Sequence, residues 1–381
     1  MITISEVKTR KQRRDFIEFP LRLYRDNPCF VPPLYSDEKK LFRDDYVYND
    51  CCESVYFLAN DDSGKTVGRI QGIIQKAANE KNSEKRVRFT RFDSLDNPEI
   101  AAALFGAVEN WAMARGMDTI CGPLGFSDLE REGLLIDGFD QLSTFEEQYN
   151  APYYQKLIED LGYVKEVDWF ESQLRAPDPE KVEEMERAAK LVEKRFGLHF
   201  GTAKNINDFI KKYGDDIFHL IDVCYDGLYG TVPFTDGMKK MTIENFKLLL
   251  DMRFVSIILD ENERPVCFGL CMPSIGEAVR PSGGRLTPAT LVRVLRAVKK
   301  PKVIDLALVG VDPEFANRGI PIMMIAGMTR MLINTGVEYA ETNLNLEDNY
   351  AIRNMWHRFD QKEHKKRRSF VKKLTPGGAA E

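Results

Sequence analysis

The residues best suited to chemistry lie between positions 303 and 356. The run 303–322, VIDLALVGVDPEFANRGIPI, reads as a strand that enters a tight polar loop and leaves it at once as a helix. The N–H groups that open such a helix have no partners within it and carry partial positive charge, so a pyrophosphate fits there. Gly319 lets the backbone approach an anion closely. The same pattern also describes an ordinary strand–loop–helix turn with one helper glycine. Asp305 sits inside the apolar strand, on the face shared by Ala307 and Val309. A carboxylate there is costly unless it is used or paired, or else it marks an exposed strand start. On the next strand, 337–345, Tyr339, Glu341, Asn343 and Asn345 alternate onto one face. That polar stripe either lines a site or meets solvent. Tyr225, Tyr229 and Phe234 stand between glycines in the loop 225–235, which suits a lid or substrate wall as well as a packed loop.

The elements that must position these residues fall into two halves. Pro177-Asp178-Pro179 punctuates the chain and opens a charge-dense helix that runs to Gly197, the form of a connecting helix. Residues 1–175 and 198–375 flank this linker of 176–197. The first half shows a strand pair, 54–60 and 66–75, then a strand at 87–92, a helix at 98–115, a strand at 119–122 and a helix at 152–161. The second half opens with helices at 206–212, 216–225 and 242–251. A strand pair at 254–259 and 265–273 follows. Then come a strand at 303–311, a helix at 321–334, a strand at 337–345, a helix from 348 and a last strand at 367–373. The shared order of elements points to an internal duplication and to an α/β fold.

At 303–322 the sequence resembles the GNAT acyltransferase superfamily. The family pattern is a strand, V-x-P, then Q/R-x-x-G-x-G/A and a helix; Val311, Pro313, Arg318, Gly319 and Ile320 match it in spacing. Ala316 and Pro321 depart from it, where Gln or Arg and Gly or Ala are usual. Pro321 removes one N–H, although proline is tolerated in a first helical turn. Downstream, Asn349 to Ile352, Trp356 and the closing run Ser369 to Leu374 echo the family's last elements, with Trp356 in the place of a common tyrosine acid. Asn150 to Tyr154 and Leu161-Gly162-Tyr163 echo the same element in the first half, which lacks the loop motif. The resemblance is good over 254–374 and weaker over 54–175.

It implies two GNAT-like lobes, with mixed and mostly antiparallel sheets flanked by helices. The first is degenerate and the second holds acyl-CoA. The implied cofactor-binding set is Val309, Gly310, Val311, Asn317, Arg318, Gly319, Ile320, Pro321, Asn345, Asn349 and Trp356. In such enzymes a backbone N–H near Val309–Val311 polarises the thioester carbonyl. The carboxylate base of the histone-acetyltransferase branch falls at Asp305, and Glu341 is a second base candidate. Trp356 cannot titrate, so Tyr350 or a water is the candidate acid. Tyr225, Tyr229 and Phe234 fall where acceptor access is shaped.

Composition narrows the classes. The 381 residues include 54 basic and 59 acidic ones, a net charge of −5, which argues against a general nucleic-acid binder. The seven cysteines form no CxxC pair, and the four histidines have no metal-ligand spacing, so no metal is expected. No apolar run approaches a bilayer span and the N-terminus has no signal-like apolar segment, which makes a cytoplasmic protein the expectation. The basic run Lys362–Lys373 reads either as a charged edge strand or as a patch for anionic lipid or the CoA 3′-phosphate. Together these features predict an acyl-CoA-dependent N-acyltransferase acting on an amine, acetyl or longer. A sphingoid or other lipid amine is one acceptor reading, supported by the methionine-rich helix 322–331, which suits an acyl channel or a core. A non-catalytic pair of lobes that binds a metabolite or partner is the rival. Aminoacyl transfer from tRNA fits poorly with the acidic balance.

Overall fold

Two strands of opposite charge organise the molecule. The computed structural model describes residues 1–375, apart from the side chain of Asn317. Fourteen strands among the described residues form one sheet: β1 Thr3–Glu6, β2 Cys52–Asn60, β3 Thr66–Gln75, β4 Arg86–Ser94, β5 Thr119–Gly122, β6 Leu134–Asp137, β7 Val164–Arg175, β8 His199–Phe200, β9 Val255–Leu259, β10 Pro265–Pro273, β11 Val303–Val311, β12 Tyr339–Glu341, β13 Asn345–Leu346 and β14 Asp360–Lys373. Their order is β1-β2-β3-β4-β5-β14-β7-β12-β11-β10-β9-β8, with β6 beside β14 and β13 beside β7. The strand that ends the second half therefore lies against β5 of the first. The strand that ends the first half lies against β12 of the second.

The exchange has a side-chain reason. β7 carries Glu166, Asp168 and Glu171, and β14 carries Lys365, Lys366, Arg367 and Arg368. The antiparallel register sets Asp168 opposite Arg368 and Glu171 opposite Lys365. Arg368 Nε meets Asp168 Oδ1 at 2.7 Å, and Lys365 Nζ meets Glu171 Oε2 at 2.7 Å. Opposite charges directly across a ladder favour that register over its neighbours. The basic C-terminal run is thus neither an edge strand nor a free patch: β14 is central, Lys365 and Arg367 are buried, and Lys372 is spent on Glu109 at 2.8 Å.

Each half repeats one detail. A parallel pair joins β4 to β5 only over Arg86–Arg88, and another joins β11 to β12 only over Val303–Asp305. In the first half the space beyond is filled by aromatic side chains, with Tyr154 Oη accepting from the Ser94 N–H at 2.7 Å. In the second half it opens. The helix Ile320–Thr335 follows β11 and begins at Gly319, whose φ of +80° is natural for glycine; a Cβ there would lie 2.8 Å from Val192 of the linker helix Pro179–Phe196. The helix Ile206–Tyr225 packs over β10 and β11. It is one helix where the sequence predicts two, because Gly214 costs only propensity and the apolar stripe Phe209, Ile217, Leu220, Ile221 continues through it. The helix Asp236–Phe246 starts one and a half turns earlier than expected, because the Thr235 hydroxyl caps Met238 N–H.

Candidate active site

Beyond Asp305 and Glu341 the neighbouring strands part. β11 runs on to Val311 without a partner on that side, while Asn345 and Leu346 pair with Phe170 and Trp169 of β7. The Asn343 side chain donates across the fork to Ala307 C=O at 2.8 Å. Further out, the Tyr225 hydroxyl donates to Val309 C=O at 3.0 Å and accepts from Val309 N–H at 3.3 Å. The Cys224 thiol reaches Val311 C=O at 3.2 Å. A buried strand edge must satisfy its N–H and C=O groups, and here helix side chains do so in place of a strand. The edge can equally pair with an extended chain that carries amides.

The fork opens into a cavity of about 910 Å³. One wall is the helix Ile320–Thr335, which contributes Met324, Met328 and Met331. The opposite wall is apolar too, with Ile217 and Phe218 from Ile206–Tyr225 and Phe246 and Leu250 from the following helical region. Val309, Gly310, Val311, Pro321, Asn345, Asn349, Trp356, Tyr225 and Tyr229 all border this space. Trp356 is buried and its indole N–H donates to Asn345 Oδ1 at 2.7 Å, which holds the polar stripe in place. Gly319 and Ile320 open the helix just before the lining residue Pro321, and the exposed Arg318 guanidinium stacks on Phe315 at 4.3 Å. Asn317 falls in the short helix before Gly319, and its side chain lies outside the described residues.

Of the predicted residues, Arg318, Gly319, Ile320, Glu341, Tyr350, Phe234 and Asp305 do not line the cavity. Tyr350 is 67% exposed and lies away from it. Phe234 packs on Phe218 at 5.4 Å, in the core beneath the loop, and does not border the cavity. Asp305 is buried beside the fork, but it does not line the space, and neither of its oxygens has a hydrogen-bond partner. Burial, reinforced by the charge of Glu341, pushes its carboxyl up to about 7. Glu341 is committed elsewhere: its Oε1 meets His364 Nε2 at 2.5 Å and Lys365 Nζ at 2.9 Å. Lys365 and Arg367 in turn clamp Glu171.

The carboxyls that do face the cavity come from the first half. Asp128, Glu130, Glu132, Glu146 and Glu147 border it from the long connection between β5 and β7. Asp128, Glu132 and Glu147 each carry a buried oxygen without a hydrogen-bond partner. Burial raises Glu146 to about 8, with Asp305 and Glu147 adding to the effect. Burial likewise raises Glu147 to about 8, against the opposing pull of Arg367. Sequence reasoning missed these five because no strand or helix period marks them. The usable signal was length, since connections this long inside a compact fold tend to carry function.

Chemically, the arrangement offers a strand edge held only by side chains, an apolar chamber and carboxyls with raised proton affinity. Such carboxyls keep their protons at neutral pH, and an ammonium group beside them favours the ionised form that can take a proton from it.

No protein-family model matches the chain. Among curated proteins it is similar to protein YghO of Escherichia coli, 27% identical over 370 residues, covering 94% of this chain and 92% of the relative. It is also similar to the bacterial ceramide synthase of Caulobacter vibrioides, 28% identical over 365 residues and covering 92% of each. Among solved structures, the tandem GNAT protein from the clavulanic acid biosynthesis pathway superposes with a TM-score of 0.57 at 9% identity, covering 99% of this chain and 100% of that one.

Proposed function

Proceeding from a tandem GNAT fold, we propose that this chain is an acyl-CoA-dependent N-acyltransferase that places a long acyl chain on a lipid amine. The observation that carries the reading is the cavity: about 910 Å³ of mainly apolar space that begins at the unpaired edge of β11 and reaches buried, uncompensated carboxyls. An acetyl group needs far less room. The name of the 28% identical relative, a bacterial ceramide synthase, supports a lipid acceptor.

The thioester supplies the activated acyl group; the exchange forms one amide C–N bond and breaks one C–S bond. This chain's residues would hold and protonate the parts. The N–H and C=O of Val309 and the C=O of Val311 would take the amides of the pantetheine arm once Tyr225 and Cys224 release them. Arg318 and the N–H groups at Gly319 and Ile320 would take the phosphates. Glu146 or Glu147, having lost its own proton to solvent once the ammonium sits beside it, would as the carboxylate accept a proton from the ammonium. The departing thiol takes the second nitrogen proton, and the Tyr225 hydroxyl at the fork is the group suited to pass it on. Asp305 and Glu341 then act through charge, by setting the proton affinity of the carboxyls beside them.

The test is CoA release from an acyl-CoA series in the presence of a long-chain amine. Release should rise with acyl length, and Tyr225→Phe should lower it by about 10- to 100-fold. Absence of both CoA release and ligand stabilisation with every acyl-CoA would reject the reading. One observation favours a non-catalytic binder instead: the Tyr225 hydroxyl already satisfies both backbone groups of Val309. In that case acyl-CoA raises the melting temperature by mass action without any CoA release.

A further inference from the structure

The helix Pro288–Lys299 is out of keeping with the rest of the surface. Its inner face packs Val294 and Val298 into a cluster with Leu249, Met272 and Val279. Its outer face leaves Leu291, Val292 and Leu295 exposed at 46%, 48% and 65%, and Leu286 just before it at 45%. Isolated exposed leucines are ordinary; several on one face of one helix form a patch.

Charge sets this patch apart further. The stretch 280–302 carries seven basic residues and no acidic one, in a chain whose net charge is −5. Three of the seven are occupied: Arg280 with the Pro28 carbonyl, Arg285 with Glu18 at 2.8 Å and Arg293 with the Ala278 carbonyl at 3.1 Å. Arg296, Lys299, Lys300 and Lys302 make no ion pair among the described residues, and all four are exposed. β14 holds a comparable number of cations, but there they are largely neutralised by β7 and Glu109.

We propose that this helix docks on an anionic membrane surface, with its leucines entering the interface and its free lysines and arginine meeting lipid phosphates. Exposed leucines beside unpaired cations are the combination that an anionic bilayer rewards, whereas a nucleic acid would use only the charge. The position of the helix is consistent with this role. Arg253, which borders the cavity, donates to the Val298 and Lys299 carbonyls at 3.1 and 3.3 Å, so the end of the helix is tied to the cavity wall. A chain docked this way would bring its apolar chamber next to the source of lipid substrates. The docking surface itself does not rest on the acyltransferase reading.

Sedimentation of the full chain with vesicles tests it. The protein should pellet with phosphatidylcholine vesicles that contain phosphatidylglycerol and stay in solution with phosphatidylcholine alone. The triple variant Arg296→Glu, Lys299→Glu, Lys300→Glu should weaken binding by about fivefold or more per residue changed. Leu291→Ser with Leu295→Ser should weaken it too, and circular dichroism should show both variants folded. No vesicle binding, equal binding to both compositions, or variants that bind like the parent would overturn the proposal. A parent dimer that the leucine variant splits, without change in vesicle binding, would assign the face to a second copy instead. CoA release with a short acyl-CoA and a water-soluble amine should be unaltered in both variants. A chain inactive on every acyl-CoA would leave the vesicle result standing.

Discussion

Glu147 is the residue where burial and chemistry meet most directly. Its ordinary carboxyl value is 4.5, and in the folded chain it is pushed up to about 8, first by burial and then by the charge of Glu171. Between those values the folded chain keeps a proton that the unfolded chain has released. Folding is therefore favoured less and less as pH rises from about 4.5 to 8. Glu147→Gln removes the ionisable group and should flatten this decline. Denaturant midpoints should agree with the parent at pH 5 and exceed it at pH 9, by about 1–3 kcal/mol. CoA release should fall in the same variant if Glu147 takes the ammonium proton, and persist if Glu146 does. Glu171 behaves in the opposite way. Burial alone would raise it, yet Arg367 and Lys365 overcome that and hold it near 2, so its contribution is present above the ordinary carboxyl value and is lost as pH falls toward 2.

At the scale of elements, the sequence was most legible where periodicity is local. β3, β5, β10 and β11 have the predicted bounds, and the polar stripe of Asn343 and Asn345 does border the cavity. β7 and the centrality of β14 were not legible. Their in-pointing charges read as solvent-facing until the partner, nearly two hundred residues away, is known. The carboxyls at 128–147 were hidden for a related reason, since an irregular segment has no period to betray which side faces a cavity. The helix Ile320–Thr335 was legible as apolar, and its role as a chamber wall yields a prediction. Met328→Phe fills part of the cavity without adding a polar group. It should lower kcat/KM for long acyl-CoAs by about tenfold relative to acetyl-CoA, measured by thiol release on both donors.

At the scale of the whole molecule, the exchanged strands make each half complete only with the other. Lys365 and Arg367 lie fully buried between Glu171, Glu341 and Glu147, and removing one member leaves its partners charged and dry. Lys365→Met should cost about 3–5 kcal/mol in global unfolding and destabilise both halves in a single transition. Expressed separately, 1–175 and 198–375 should each be aggregation-prone, and co-expression should recover a folded pair, read by size-exclusion chromatography and circular dichroism.

The same exchange imposes a timetable on synthesis. β5 and β7 leave the ribosome early, with the slot between them empty, and β14 arrives only after the entire second half has been made. For that interval the nascent chain exposes one edge of β5 and both edges of β7, and Glu171 lacks its basic partners. Closure is long-range and cannot begin until the second half has been translated. Glu171 is then more than half of an ion network: its unmatched charge on β7 disfavours pairing of that edge with the same edge of another nascent copy until the basic strand reaches it.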